Sequence, residues 1–228
     1  RVRLFETGLR FLEKGVLTEQ VPTLAGIAYG SLMPEQWSHD DTPVDYFDIK
    51  GDVESLFKKM GKDPAGLTFK PSQHKALHPG RSADVFWQGE YVGVLGCLHP
   101  ALTDKYKLPS APVLFEFDLA AVTEGELPQY QRLSKFPSMR RDIAIVVDDQ
   151  VSIADITNKI QENANNLLKK IHIFDIYQGK GIAEEKKSIA IGLIFLDPDR
   201  TLVDEDVNAA VDSIVSGLSK TFNAQLRV

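Results

Sequence analysis

Phe174–Ser188 reads FDIYQGKGIAEEKKS, the end of one strand, a polar loop with two glycines and the start of a second strand. Before the loop, Lys169–Tyr177 runs KKIHIFDIY; after it, Lys187–Leu196 runs KSIAIGLIFL, and both alternate with the period of two expected of sheet. The stretch therefore predicts a hairpin. Upstream, Asp142–Val147 is a first strand, and Ser152 starts a helix that buries Ile153, Ile156 and Ile160. Its hydroxyl can accept from the backbone near Asp155, Asp155 can reach back, and Val151 can staple against Ile156. Downstream, Thr201 is the predicted start of a second helix with the stripe Val203, Val207, Val211, Ile214 and Leu218. Phe222, Ala224 and Leu226 then alternate with Asn223, Gln225 and Arg227 in a last strand. The order βαββαβ predicts a ferredoxin-like domain with both helices on one sheet face.

Alternation then assigns directions. Ile143, Ile145 and Val147 belong under the helices, so Asp142, Ala144 and Val146 face outward. Ile189, Ile191, Leu193 and Phe195 go under, leaving Ser188, Ala190 and Gly192 outside. A single count along the strand before the loop sends His172, Phe174 and Ile176 under and exposes Asp175 and Tyr177. The open face is thus small residues beside one tyrosine and two carboxylates, a shelf for a flat ring. Sheets with exposed aromatics stack single-stranded bases, and a carboxylate such as Asp175 accepts from the N–H groups of a guanine's pairing edge. A plain exposed strand tyrosine fits the same residues. Arg132, Lys135, Arg140 and Arg141, with Lys180, Lys186 and Lys187 of the loop and Arg200 before the second helix, are either phosphate contacts at the rim or a solvated border.

The first half reads as α+β, mostly antiparallel strands with helices among them. Arg1–Gly8 and Leu24–Tyr29 are strands separated by a polar loop. Val44–Met60 is a helix with Val44, Phe47, Val53, Leu56, Phe57 and Met60 on one side and Gly61 as its stop. Short strands follow at LTF, Ser82–Trp87 and Tyr91–Leu98, the last two joined by a turn at Gln88–Glu90. Pro100–Leu108 is a short helix and Val113–Leu119 a strand. Residues 120–133, with Gly125 and Pro128, have linker chemistry, so the expected domains are 1–119 and 134–228.

The net charge of −6 over 228 residues advertises no nucleic acid globally. Residues 1–128 hold 13 basic and 18 acidic side chains, the remainder 13 and 14, so any RNA contact depends on local patches. The lone Cys97 fits a reducing cytoplasm, and no apolar run of about 18 residues suggests a membrane span. The start at Arg1 in strand-like sequence predicts a piece of something longer. Gly179-Lys180-Gly181 lacks the helix a phosphate loop needs and reads as hairpin flexibility. Asp45, Asp48 and Asp52 on one helix face suit the positive helix end better than a metal. Cys97 and His99, two apart on a strand, lack an orienting acid, and the repeated Leu-His-Pro at Leu77–Pro79 and Leu98–Pro100 predicts turns, not zinc. No metal ligands are assigned.

LFETG at Leu4–Gly8, VDYFDIKGDVE at Val44–Glu54, LHPGRSA at Leu77–Ala83, LHP at Leu98–Pro100 and FEFDL at Phe115–Leu119 resemble the catalytic-like, class II synthetase-like core of the bacterial phenylalanine–tRNA ligase β subunit. FPSMRRDIA at Phe136–Ala144, FDIYQG at Phe174–Gly179, KKSIAI at Lys186–Ile191 and DRTL before the second helix resemble its ferredoxin-fold anticodon-binding domain. The sequence departs from that pattern at Glu185 and Asn223, where the family has glycine. The resemblance implies a cytoplasmic aminoacyl-tRNA synthetase of two α and two β chains, using ATP and magnesium at an active site in the α subunit. This chain would then hold no cofactor, would not itself catalyse, and would partner the α subunit, a second β subunit and tRNA(Phe), but no membrane. It carries anticodon contact onto Ala144, Asp175, Tyr177 and Ser188, the positions alternation turns outward. Arg140, Arg141, Lys180, Lys187 and Arg200 are the candidate phosphate contacts. A small-ligand-sensing regulatory module and a pure assembly domain are the competing readings.

Overall fold

A two-residue turn starting at Gly15, φ +64°, closes a hairpin longer than the sequence reading allows in this computed structural model, which describes residues 1–125 and 134–227. Strands β1 (Val2–Lys14) and β2 (Leu17–Tyr29) pair antiparallel without a break from Val2 opposite Tyr29 to Lys14 opposite Leu17. Glycine at the first central position is what a II′ turn takes. The polar loop expected between Gly8 and Leu24 is therefore ladder. Most of its residues are exposed on both sides, so they carry no alternation to read.

The chain divides into two units, Arg1–Gln129 and Tyr130–Val228. The expected linker lies outside the described residues from position 126 on, together with Pro128 and Arg132. In the first unit β3 (Leu67–Pro71), β4 (Leu77–Trp87), β5 (Glu90–Leu98) and β6 (Val113–Asp118) complete a six-stranded antiparallel sheet ordered β1-β2-β6-β5-β4-β3. Gln88 and Gly89 both have positive φ, the I′ geometry that a two-residue hairpin loop prefers.

Helix α1 (Tyr46–Lys59) buries Ile49, Val53 and Phe57 against one face of that sheet. Phe47, expected on the buried side, is 73% exposed. Asp45 caps the helix by accepting from the N–H groups of Phe47 and Asp48, and the Asp48 carboxylate accepts from the Asp45 N–H at 2.8 Å. Two of the three aligned acids thus serve the cap. Helices α2 (Pro100–Lys105) and α3 (Leu119–Thr123) are short. His99 is not in a strand with Cys97: it caps α2, its Nδ1 accepting from the Ala101 N–H at 3.1 Å. His78 Nδ1 accepts from the Gly80 N–H at 3.0 Å in the same way, so one local bond explains both Leu-His-Pro segments.

The second unit runs β7 (Met139–Asp148), α4 (Ile153–Asn163), β8 (Leu168–Tyr177), β9 (Lys186–Phe195), α5 (Asp204–Phe222) and β10 (Gln225–Leu226). Its antiparallel order β10-β7-β9-β8 is the ferredoxin-like arrangement. Ile145, Val147, Ile189, Ile191, Leu193 and Phe195 meet Ile156, Ile160, Val207, Ile214 and Leu218 in one core. Ser152 Oγ accepts from the Asp155 N–H at 3.0 Å and donates to its carboxylate at 2.7 Å. Helix α5 begins three residues later than expected, because the Asp206 carboxylate, not Thr201, ties its entry by accepting from the Val203 N–H at 3.3 Å. Asn223 closes it in the left-handed conformation at φ +52°, taking the part glycine usually plays. No described helix is long and apolar enough to cross a membrane.

One strand breaks its alternation. Ile173 lies opposite Ile191, but Asp175, not Phe174, lies opposite the next β9 residue, Ala190. This β-bulge shifts the count by one. Ile171 and Ile173 therefore pack against the core, whereas His172 and Phe174, expected under the helices, are exposed.

Candidate nucleic-acid interface

Three rows of side chains cross the open face. Val146, Ser188 and Tyr177 form one, Ala144, Ala190 and Asp175 the next, and Asp142, Gly192 and His172 the third. Bulky residues on both sides of each strand would have closed this face; the alanines and Gly192 keep it shallow.

Tyr177 is 38% exposed, and the hairpin loop fixes its ring. Its hydroxyl donates to the Lys180 carbonyl at 3.2 Å. Gly179, at φ +149°, folds the loop against it; a Cβ there would stand 3.0 Å from the Tyr177 oxygen. Glu185 ends the loop at φ +61°.

Arg227, just after β10, reaches across this row. Its N–H donates to the Ala144 carbonyl at 2.8 Å, its Nη1 donates to Ser188 Oγ at 3.3 Å, and its guanidinium carbon stands 5.7 Å from the Tyr177 ring centre. Ser188, on the open face as expected, is only 5% exposed beneath it. Sequence reasoning listed Arg227 in the last strand without a role. The alternation already sets Arg227 apart from Ala224 and Leu226, and the register, Gln225 opposite Val146, puts it on the open face with Ala144. Ala144, Tyr177 and Ser188 thus come together with Arg227, and exposed Asp175 stands in the adjoining row.

The five candidate phosphate contacts separate. Arg140 stays on the open face, its Nε donating to Asp142 at 2.7 Å, and Lys180 belongs to the loop over Tyr177. Arg141 lies opposite Leu193, on the helix side, and pairs with Asp204. Lys187 lies opposite buried Val147 and donates to the Asp149 carbonyl at 2.7 Å. Arg200 pairs with Asp206 at 2.6 Å and Asp197 at 3.3 Å, and its hydrogen bond holds the Asp206 carboxyl below the usual carboxylate range. Arg140, Arg141 and Arg200 thus each pair with a carboxylate within the unit, and Lys187 with a carbonyl.

The first unit carries a cavity of about 450 Å³ lined by Leu4, Ala25, Ile27, Leu114, Glu6 and Glu116. Arg10 beside it is held by Glu116 at 2.5 Å and Asp118 at 2.9 Å. Apolar walls, carboxylates and an arginine already matched do not fit a nucleoside triphosphate.

The family model described as the phenylalanyl tRNA synthetase beta chain CLM domain matches residues 1–119, and the ferredoxin-fold anticodon binding domain matches residues 134–227. The chain is 42% identical over 227 residues to the phenylalanine–tRNA ligase beta subunit of Hahella chejuensis. It is 44% identical to those of Coxiella burnetii, over 228 residues, and Pseudomonas syringae pv. tomato, over 227. Each match covers 100% of this chain but only 28% or 29% of the relative. The chain spans less than a third of the length of these relatives.

Proposed function

The chain belongs to the phenylalanine–tRNA ligase beta subunit family, and from that premise we propose that its second unit grips the anticodon loop of tRNA(Phe) on the open face of the β10-β7-β9-β8 sheet. Tyr177 stacks on the first anticodon base, a guanine, and Asp175 accepts from that base's N–H pairing edge. Ala144 and Ser188 let the ring approach closely. Arg227 supplies a cation against the far side of the base or its phosphate, and Arg140 and Lys180 meet phosphates at the two ends of the face. Arg141 and Lys187, on the helix side of the sheet, and Arg200, held by two carboxylates, have no such role. The observation that carries this reading is an exposed phenol ring held in place by its own loop above a floor of small residues.

The first unit serves assembly. Phe5, Leu9 and Phe11 alternate onto one side of edge strand β1 and are 79%, 53% and 62% exposed, a surface suited to burial against another subunit. The α subunit, bound there in an assembly with a second β chain, carries out the aminoacylation that uses ATP and magnesium.

Titration of the chain with an RNA stem-loop carrying the tRNA(Phe) anticodon, and with one swapped at the first anticodon base, tests the decoding role. Weaker binding of the swapped RNA, lost in Tyr177→Ala, is expected. Equal affinity of the chain for both RNAs would refute base reading.

A further inference from the structure

The β-bulge gives the open face a second aromatic that uniform alternation would have hidden. Phe174 is 46% exposed. The His172 ring lies 6.2 Å away, nearly parallel at 27°, and the Arg140 guanidinium carbon stands 5.4 Å from the Phe174 centre. Asp142 holds Arg140 in that pose through the 2.7 Å bond from Nε. Gly192 makes the pose possible: a Cβ there would come within 3.1 Å of Arg140 Nη2 and Asp142 Oδ1. A phenyl ring, an imidazole and a guanidinium are thus arranged with near-parallel or facing planes on the side of the sheet that carries Tyr177.

From Phe174 to Tyr177 is three residues, roughly 10 Å of strand, with the low strip of Ala144, Ala190 and Asp175 between. Four-stranded sheets that read single-stranded RNA stack two or three bases on their aromatics, and arginine planes add to such stacks. A solvent-exposed phenylalanine fixed by a bulge contributes little to the core, whereas the same ring offers a stacking surface to a base.

We infer that Phe174, flanked by His172 and held beneath Arg140, is a second base-stacking subsite that takes another unpaired nucleotide of the RNA strand lying across Tyr177. This rests on the proposed RNA-binding reading of the same face. Arg140 is its specificity-neutral clamp, able to stack on the base or turn to the phosphate beside it.

The test titrates the 228-residue chain with fluorescein-labelled stem-loops carrying the tRNA(Phe) anticodon, one abasic replacement at each loop position. Phe174→Leu, which keeps apolar volume without a π face, is expected to weaken binding roughly five- to hundredfold. It should also erase the penalty of an abasic site at one loop position, different from the position coupled to Tyr177. Phe174→Trp should bind at least as well as the parent. If Phe174→Leu binds like the parent while Tyr177→Ala does not, the second subsite is overturned and the decoding proposal stands. If both changes silence the same loop position, there is one subsite and this inference fails. Unchanged binding in both variants overturns the RNA-binding reading itself and the subsite with it.

Discussion

Arg227 covers Tyr177: its guanidinium carbon lies 5.7 Å from the ring centre while its Nη1 holds Ser188. A cation over an exposed ring is worth about 0.5–1 kcal/mol, small enough for an incoming base to displace. Arg227→Gln should therefore weaken stem-loop binding and flatten the salt dependence by about one counterion. Arg141→Ala and Arg200→Ala, whose charges are matched by Asp204 and by Asp206 and Asp197, should leave that slope unchanged. Binding measured between low and moderate salt decides.

Tyr177→Ala is expected to cost about 1–3 kcal/mol of stem-loop affinity. Tyr177→Phe keeps the ring and loses only the hydroxyl's bond to the Lys180 carbonyl, a loss of about 0.5–1.5 kcal/mol felt mainly by the loop. Calorimetric titration of both variants separates stacking from ring placement.

Glu185 stands at φ +61°, a conformation that costs an L-residue roughly 1–2 kcal/mol, partly offset by the greater entropy glycine loses on folding. Glu185→Gly should stabilise the chain by up to about 1 kcal/mol. Urea unfolding midpoints would register the gain, and a destabilised variant would show that the Glu185 side chain holds the loop.

The Arg200 hydrogen bond, with the Val203 N–H, depresses the Asp206 carboxyl. A depressed carboxylate contributes stability that is present above its unfolded value, about 3.9, and lost as pH falls through its lower folded value. The parent should thus lose stability more steeply than Asp206→Asn on acidification below about pH 4. Thermal midpoints across that range check the sign, and parallel curves for the two proteins would contradict it.

Phe11→Asp places a charge on the exposed apolar side of β1. Loss of co-purification with the α subunit is expected, with the fold of the chain intact by circular dichroism. Undiminished co-purification would move the assembly surface elsewhere.

The second unit was largely legible in the sequence because β7 and β9 bury one side each, and Ile143 to Val147 and Ile189 to Phe195 record that faithfully. The turn end of the first hairpin was not, since there β1 and β2 are largely exposed on both sides; only from Thr23 on does β2 bury residues, and Leu24–Tyr29 is the part that reads as a strand. Ala144, Asp175, Tyr177 and Ser188 could be turned to the open face by counting, but His172 and Phe174 could not, because a bulge adds a residue without a compositional mark. Ion pairing was equally hidden: nothing in RRD or DRTL says that Arg141 and Arg200 are matched by Asp204 and Asp206.

The extra residue in β8 lets a single strand obey two rhythms. Were the same residues to pair without the bulge, in an even beat, either Ile171 and Ile173 would leave the hydrophobic interior or Asp175 and Tyr177 would be drawn into it. One inserted peptide unit thus uncouples the anchoring half of the strand from its displaying half, so each can vary without forcing the other to turn over.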